Sequence, residues 1–311
     1  MNVPEVSIVV PLYNEESVFE LLFERLEKVV QSSDFIIEVV LVDDGSSDRT
    51  PLLIEKATQG NPGFTGVILS RNHGHQLAVS AGLTVATGSH AVMIIDGDLQ
   101  DPPELIFDFY KKLKEGFDVV YAVRQNRKES TLKKFAYWFY YRLQKRVSNY
   151  TIPIDSGDFS MISRRVVDHL NAMPEQSRYL RGMRAWVGFR QFGYRCDRDT
   201  RKGGTTKYSW KKLFELAFNG IFNFSDLPVR FITRLGILTI IVSLVYIIYI
   251  LVKKLMGIYV PEGFTTLIIA ICLFSGVQLI SIGVLGEYVI RIYKQVRNRP
   301  LFVIDKIFRK K

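Results

Sequence analysis

Two aspartates separated by one glycine carry the clearest chemical signal in this sequence. The segment IIDGDLQDPPE places Asp96 and Asp98 directly after a short apolar run, and Gln100 follows two residues later. A turn at this point can bring both carboxylates onto one cation, and oxygen ligands suit Mg²⁺ or Mn²⁺. Such a cation could neutralise the charge that builds on a departing diphosphate. An isolated D-x-D pattern is a weak signal, because Asp-Gly-Asp also occurs in ordinary turns.

Two further acidic clusters have the composition of ligand-binding turns. VVLVDDGSSD ends a predicted strand with Asp43 and Asp44, whose carboxylates could accept hydrogen bonds from a base or a ribose. A solvated turn that caps a helix is the alternative interpretation. IDSGDF supplies Asp155 and Asp158 as a second candidate acidic pair.

Basic residues also follow the predicted strands. Arg124 comes at the end of GFDVVYAVR, and the glycine-rich segment RKGGTTKYS contains Arg201 and Lys207. A flexible basic loop could close over phosphates, although a membrane-proximal basic linker would have the same composition. His73 and His75 are interpreted as a solvated or helix-capping pair, because no third ligand follows at the spacing of a zinc site.

Residues 1–208 alternate between predicted strands and predicted helices. The strands are predicted at 6–11, 36–42, 65–69, 91–95 and 118–122, and the helices at 17–31, 50–58, 76–87 and 103–115. This alternation is typical of an α/β domain with a mainly parallel sheet. Ligands bind such domains at the carboxyl ends of the strands, where the acidic clusters fall. The sequence contains neither a G-x-G-x-x-G after its first strand nor a P-loop motif, which argues against nicotinamide and P-loop nucleotide binding.

Two long stretches near the C-terminus contain no charged residue. They cover residues 235–252 and 264–286, and each has about the length that crosses a hydrocarbon core of ~30 Å. Buried helices of a soluble core are the alternative, but such helices usually keep a polar face. Basic residues flank the two stretches on the outside, and only Lys253 and Lys254 lie between them. The positive-inside rule therefore predicts that both flanks are cytoplasmic.

These features divide the chain into four predicted regions. They are an α/β domain at 1–208, an interfacial amphipathic helix at 209–230, a two-helix membrane anchor at 231–290 and a basic cytoplasmic tail at 291–311. The net charge of +10 indicates an anionic partner, either a phosphorylated substrate, an anionic membrane surface or nucleic acid. Nucleic-acid binding alone would not explain the apolar stretches. The two cysteines exclude a disulfide scaffold and a four-cysteine zinc site.

The ordered motifs resemble those of family 2 glycosyltransferases. VVPLYNEE, VDDGSSD, IIDGDLQDPPE, GFDVVYAVR, IDSGDF and RKGGTTKYS occur in the order seen in that family. More narrowly, the chain resembles polyprenyl-phosphate glycosyltransferases, which include dolichol-phosphate mannose synthases and bactoprenol glucosyltransferases. RNHGHQLAVSAGL and WVGF are more similar to the bactoprenol branch. The resemblance implies a Rossmann-like GT-A fold, a nucleotide-sugar donor, a divalent metal (Mg²⁺ or Mn²⁺) and inversion at the anomeric carbon.

The resemblance also implies roles for individual residues by their positions in the motifs. The nucleoside pocket would be lined by Pro11, Tyr13, Glu15, Val42 and Asp44. The metal and the diphosphate would be held by Asp96, Gly97, Asp98 and Gln100. Phosphates of the donor or the acceptor would be held by Arg124, Arg201 and Lys207. The catalytic residues would be Asp96, Asp98 and Asp155.

The expected activity is transfer of glucose from UDP-glucose to a polyprenyl phosphate such as undecaprenyl phosphate. The expected location is the plasma (inner) membrane, with several membrane passes and a cytoplasmic catalytic domain. The donor, the lipid acceptor and the bilayer are the expected partners; nucleic acid is not, and copies of the chain could associate through their C-terminal segments. A mannose synthase that uses GDP-mannose is the first alternative. A non-enzymatic membrane adaptor is the second, although both aspartates and the basic loop are intact.

Overall fold

The computed structural model describes residues 3–124, 156–196, 227–257 and 263–309. The chain divides into two compact units. The first contains the described residues up to 196 together with residues 299–309, and the second contains the remaining C-terminal segments. The predicted interfacial helix at 209–230 lies almost entirely outside the described residues.

The first unit contains an eight-stranded sheet with the order β7-β5-β6-β4-β1-β2-β3-β8. The strands are β1 (Val6–Leu12), β2 (Ile37–Asp43), β3 (Phe64–Leu69), β4 (Ala91–Ile94), β5 (Val119–Arg124), β6 (Ser156–Ser163), β7 (Gln191–Cys196) and β8 (Ile304–Arg309). Strand β1 pairs in parallel with β2 and β4, β2 with β3, and β5 with β7. Strands β6 and β8 pair antiparallel with their neighbours. This arrangement confirms the prediction of an α/β domain with a mainly parallel sheet.

Helices cover the sheet on both faces. In the first unit they are α1 (Phe19–Gln31), α2 (Thr50–Gly60), α3 (His75–Val85), α4 (Ile106–Lys114), α5 (Arg164–Ala172) and α6 (Leu180–Val187). Successive residues of β1 belong to different apolar clusters: Ile8 packs with Leu22 of α1, and Val9 packs with Val79 of α3. Burial on both faces explains why β1 and β2 are nearly continuous apolar runs rather than alternating ones.

The predicted elements agree with the structure as far as residue 122, with boundaries that shift by a few residues. The helix predicted at 103–115 begins as a short 3₁₀ turn, Pro103–Leu105, before α4. Strands β6, β7 and β8 and helices α5 and α6 were not predicted. Strand β8 lies inside the predicted cytoplasmic tail, yet it pairs with β3 and closes one edge of the sheet.

The second unit contains the helices α7 (Leu227–Leu255) and α8 (Phe264–Val296). Among the described residues, one segment, Leu273–Val296 of α8, is long and apolar enough to cross a membrane. The apolar part of α7, Ile232–Tyr246, is shorter. In the described part of the chain, the structure thus supports one of the two predicted membrane spans, and the span predicted at 235–252 stays a prediction.

Candidate active site

The loops that follow β1 and β2 are tied together by hydrogen bonds. The Asn14 N–H donates to Ser46 Oγ at 2.9 Å, and the Ser47 N–H donates to Asn14 Oδ1 at 2.8 Å. The Glu15 N–H donates to Thr50 Oγ1 at 3.1 Å. The motifs PLYNEE and DDGSSD therefore form one surface at the carboxyl ends of the two strands.

Four of the residues predicted to line a nucleoside pocket lie on or next to this surface. Pro11 pairs with Val42 across β1 and β2, and both are buried. Tyr13 directly follows β1 and is 39% exposed. Glu15 belongs to the same loop. Their role as nucleoside ligands stays a prediction.

Asp44, the fifth of these residues, fixes the start of α3. Its Oδ1 accepts a hydrogen bond from the His73 N–H at 2.8 Å, and its Oδ2 accepts one from the Gly74 N–H at 3.0 Å. Burial raises the pKa of Asp44, and these two hydrogen bonds offset part of that rise. The contacts in this structure are thus with backbone donors of the HGH segment.

Gly45 allows the same loop to pack against the chain after β3. Its φ of +65° is in the left-handed region, and a Cβ atom would lie 2.3 Å from the carbonyl carbon of Arg71 and 2.4 Å from the amide nitrogen of Asn72. We expect Gly45→Ala to lower the free energy of unfolding by about 2 kcal/mol or more, since backbone strain and overpacking add. Thermal unfolding of the two proteins measures this difference.

Gly60→Ala is the control for that substitution. Gly60 ends α2, and a Cβ atom there would meet no atom within 4 Å. We expect its effect to stay within about 0.5 kcal/mol. A Gly45→Ala protein as stable as the control would contradict the close contact.

The turn that carries the two aspartates lies against β1. Asp96, Gly97 and Asp98 follow the carboxyl end of β4, and a Cβ atom on Gly97 would lie 2.4 Å from Leu12 Cδ2. The Gln100 N–H donates to Asp98 Oδ1 at 3.2 Å. The predicted metal and diphosphate residues are therefore brought together on one tight turn, next to the loop that carries the predicted nucleoside residues.

A further carboxylate, Asp158, lies close to this turn. Strand β6 runs antiparallel to β4 with Ile94 opposite Ser160, so continuing that register by two residues brings Asp158 opposite Asp96. His75, the first residue of α3, lies between the two carboxylates. Its Nε2 is 3.6 Å from Asp96 Oδ1 and 3.7 Å from Asp158 Oδ2.

Asp158 is held by residues of α3 and α6. Arg181 donates from Nε to Oδ1 at 2.7 Å and from Nη2 to Oδ2 at 3.0 Å, and Gln76 Nε2 donates to Oδ2 at 3.2 Å. Burial raises the pKa of Asp158, but the charge and hydrogen bonds of Arg181 and the contact with His75 together hold the pKa well below its usual value. A carboxylate with so low a pKa is poorly suited to take a proton as a general base.

The His75 imidazole lies between two carboxylates, and its side chain is 43% exposed. Burial lowers the pKa of His75, but the contact with Asp158 and the negative charges of Asp96 and Asp158 raise it to about 9. The interpretation of His73 and His75 as a solvated or capping pair is consistent with their place at the start of α3 and with the 43% exposure of His75, but it missed that the His75 side chain lies beside Asp96 and Asp158. The spacing within HGH gave no sign of this, since both partners are distant in sequence.

Of the four remaining predicted site residues, only Arg124 lies within the described residues. Arg124 ends β5, so its backbone lies at the same edge of the sheet as Asp96. Asp155, Arg201 and Lys207 lie outside the described residues. Asp158, the other aspartate of IDSGDF, is the one that the described residues place beside Asp96 and His75.

The donor atoms at the turn fit a hard divalent cation. Asp96, Asp98 and Gln100 offer oxygen atoms, which Mg²⁺ and Mn²⁺ prefer. The part of the chain that the structure describes contains no group of three or more His, Cys, Asp or Glu side chains arranged as a metal site. Mg²⁺ is commonly held by one or two carboxylates together with substrate phosphates. The residues present fit a metal of that kind, completed by a diphosphate.

Several proteins of known sequence are similar to this chain over nearly its full length. The uncharacterized glycosyltransferase sll0501 of Synechocystis is 42% identical, covering 98% of this chain and 96% of its own. The uncharacterized glycosyltransferase YkcC of Bacillus subtilis is 40% identical, covering 97% and 94%. The bactoprenol glucosyl transferase of Shigella phage SfII is 36% identical, covering 98% and 99%.

Among solved structures, the mannosyltransferase PcManGT of Pyrobaculum calidifontis, in complex with GDP-Man and Mn²⁺, aligns with a TM-score of 0.46. It is 22% identical and covers 66% of this chain and 59% of its own. The family model "Glycosyl transferase family 2" matches residues 7–170, which include the loops after β1 and β2, the Asp96 turn and Asp158. With this match and the full-length relatives, the chain belongs to glycosyltransferase family 2.

Proposed function

We propose that this glycosyltransferase moves glucose from UDP-glucose onto a polyprenyl phosphate such as undecaprenyl phosphate. The observation that carries the proposal is the similarity to bactoprenol glucosyl transferases and a homolog of them. Five such proteins are 34–36% identical over 96–98% of this chain. The similarity extends through the apolar C-terminal helices, which an enzyme with a soluble acceptor would not need.

In this proposal the donor binds at the edge formed by the ends of β1, β2 and β4. Pro11, Tyr13, Glu15, Val42 and Asp44 line the nucleoside side. Asp96, Asp98 and Gln100 hold Mg²⁺ or Mn²⁺ together with the donor diphosphate. The metal, when bound, stabilises the negative charge of the departing nucleoside diphosphate.

The protein's own residues bring two anions together. A phosphate monoester has a second pKa near ~6, so the acceptor is largely dianionic at neutral pH and needs no strong general base. Its oxygen attacks C1 of the glucosyl group with inversion, and the bond from C1 to the diphosphate oxygen breaks. Arg124, Arg201 and Lys207 offset the repulsion between the phosphates. Asp155 orients a sugar hydroxyl or a basic side chain instead of taking a proton.

The proposed location is the cytoplasmic side of the plasma (inner) membrane. The candidate span Leu273–Val296 supports an anchor, because the lipid tail of the acceptor stays in the bilayer and its phosphate must be met at the headgroup layer. The proposal includes a second span in α7, an interfacial helix at 209–230 and attraction of the basic residues to anionic lipids. Association of copies through the C-terminal segments completes the proposed arrangement.

A panel of radiolabelled UDP- and GDP-sugars, offered with undecaprenyl phosphate and Mg²⁺ or Mn²⁺, tests this function. We expect a lipid-linked product from UDP-glucose that is lost when the metal is chelated. A product from GDP-mannose alone would contradict the glucose assignment and identify a mannose synthase. Nucleotide binding without any lipid-linked product would contradict the lipid acceptor and favour another acceptor or a non-enzymatic adaptor.

A further inference from the structure

We propose that Arg181 is a positioning residue of the transfer reaction and acts through Asp158 on the turn that carries Asp96. The inference rests on the proposed function only in taking the Asp96 turn as the place of sugar transfer. The sequence motifs assigned no role to Arg181. The structure places it in α6, next to a carboxylate from β6.

Arg181 and Asp158 form an ion pair in which both partners are held at two points. Arg181 presents two adjacent N–H groups to the two oxygens of Asp158, at 2.7 and 3.0 Å. Both side chains are mostly buried, with 27% of Arg181 and 13% of Asp158 exposed. A paired fork of this kind fixes the plane of the carboxylate as well as its position. Arg181 therefore fixes the orientation of the Asp158 carboxylate relative to the neighbouring α3.

His75 links Asp158 to Asp96. His75 Nε2 lies within 3.7 Å of one oxygen of each carboxylate, so the two anions share one imidazole. With Arg181 present, the charge of Asp158 is already paired, and His75 can also face Asp96. Without Arg181, Asp158 would lose the cation that contacts both of its oxygens, so it would draw His75 away from Asp96 and add negative charge beside the donor diphosphate.

Arg181 is not needed to hold α6 in the fold. Helix α6 has other attachments: Gln76 Oε1 accepts the Leu180 N–H at 3.0 Å, and Met183 is buried in the apolar core. Arg184, which is 5% exposed, donates from Nη2 to the Gly157 carbonyl oxygen at 3.3 Å. These contacts remain when Arg181 is replaced, so the fold is expected to persist and the change to act on the position of Asp158.

The test compares Arg181→Gln, Arg181→Lys, Asp158→Asn and the double variant in the full-length protein. We expect Arg181→Gln to lower kcat about tenfold to hundredfold, with a smaller change in the KM of the donor. Arg181→Lys keeps a positive charge at Asp158 but loses the paired contact, so it should recover only part of the lost rate. In the Asp158→Asn protein, Arg181→Gln should cause little further loss, because Arg181 acts through that carboxylate.

Arg165→Gln is the matched control. Arg165 also donates two hydrogen bonds to a carboxylate, that of Asp118. Asp118 precedes β5, so it lies at the amino ends of the parallel strands, whereas Asp96 lies at their carboxyl ends. We expect this variant to transfer sugar at the wild-type rate. Melting temperatures of all variants show whether a loss of rate accompanies unfolding.

Two results would overturn the inference: Arg181→Gln at the wild-type rate, or an equal further loss when it is added to Asp158→Asn. Nucleotide release is recorded with each donor of the panel, with and without undecaprenyl phosphate. A wild-type protein that cleaves another donor, or uses another acceptor, would contradict the proposed function. The comparison of Arg181 and Asp158 would then be made on that reaction, so the two failures are distinguishable.

Discussion

Replacing Asp96 by asparagine is expected to lower the rate of sugar transfer by about 10³-fold, the size of effect seen when a charge-stabilising group is removed from an active site. Asparagine keeps the shape of the side chain but lacks the negative charge that a divalent cation requires. It also removes one of the two anions that face His75. Asp98→Asn, on the same turn, should have an effect of similar size.

The measurement is the initial rate of transfer across a titration of Mn²⁺ and of Mg²⁺, together with the melting temperature of each variant. Asp96 lies on an edge turn and its side chain is 26% exposed, so the fold should survive the substitution. Asp168→Asn is the control: this aspartate of α5 is 66% exposed and pairs with Arg164 one helical turn away. Near-normal transfer by Asp96→Asn at any metal concentration would contradict the metal assignment.

The surroundings of Asp96 show why only part of the site can be predicted from the sequence. Asp96 and Asp98 lie within one turn, so their spacing alone indicates shared chemistry. His75 contacts Asp96, and Asp158 and Arg181 are linked to His75 through tertiary contacts between α3, β6 and α6. Gln76 and Asp158, for example, are 82 positions apart in the chain. No short motif can encode such a contact, and the HGH segment therefore gave no indication that His75 lies beside Asp96 and Asp158.

The same reasoning applies to the fold. Strands β1, β2 and β4 are buried runs of apolar residues, which the hydrophobic pattern predicts directly. Strand β7 is only partly buried, and β8 carries charged side chains along a mostly exposed sheet edge. The pattern of β8, IDKIFR, is that of a basic tail until the pairing with β3 is known. Edge strands of this kind are decided by their partners more than by their own composition.

Glu38 connects β8 to the rest of the sheet, so we expect it to contribute to the stability of the domain. This buried carboxylate accepts hydrogen bonds from Ser7 Oγ at 2.7 Å, Thr65 Oγ1 at 3.3 Å, and both the N–H and Oγ1 of Thr87 at 2.8 Å. Arg309 Nη2 of β8 donates to its Oε1 at 3.1 Å. Glu38 thus connects β1, β2, β3, the segment before β4 and the C-terminal strand β8, at the amino ends of the parallel strands.

We expect Glu38→Ala to lower the free energy of unfolding by about 3 kcal/mol, because several buried donors lose their acceptor at once. For a domain of this size, that corresponds to a fall in the melting temperature of roughly 6–12 °C. Arg309→Ala should cost less, since the guanidinium is 46% exposed and still reaches water. Sugar transfer by the folded fraction should be little changed, because Glu38 lies at the amino ends of the parallel strands and Asp96 at their carboxyl ends.

Thermal unfolding of the detergent-solubilised full chain measures these differences, with Glu104→Ala as the matched control. Glu104 also accepts a fork from an arginine, Arg25, at 2.6 and 2.8 Å, but it is 49% exposed. An exposed pair of this kind contributes about 1 kcal/mol or less. Equal melting temperatures for Glu38→Ala and Glu104→Ala would contradict the role of Glu38. A large difference, together with a smaller loss for Arg309→Ala, would show that the chain returns from α8 to complete the domain that carries Asp96.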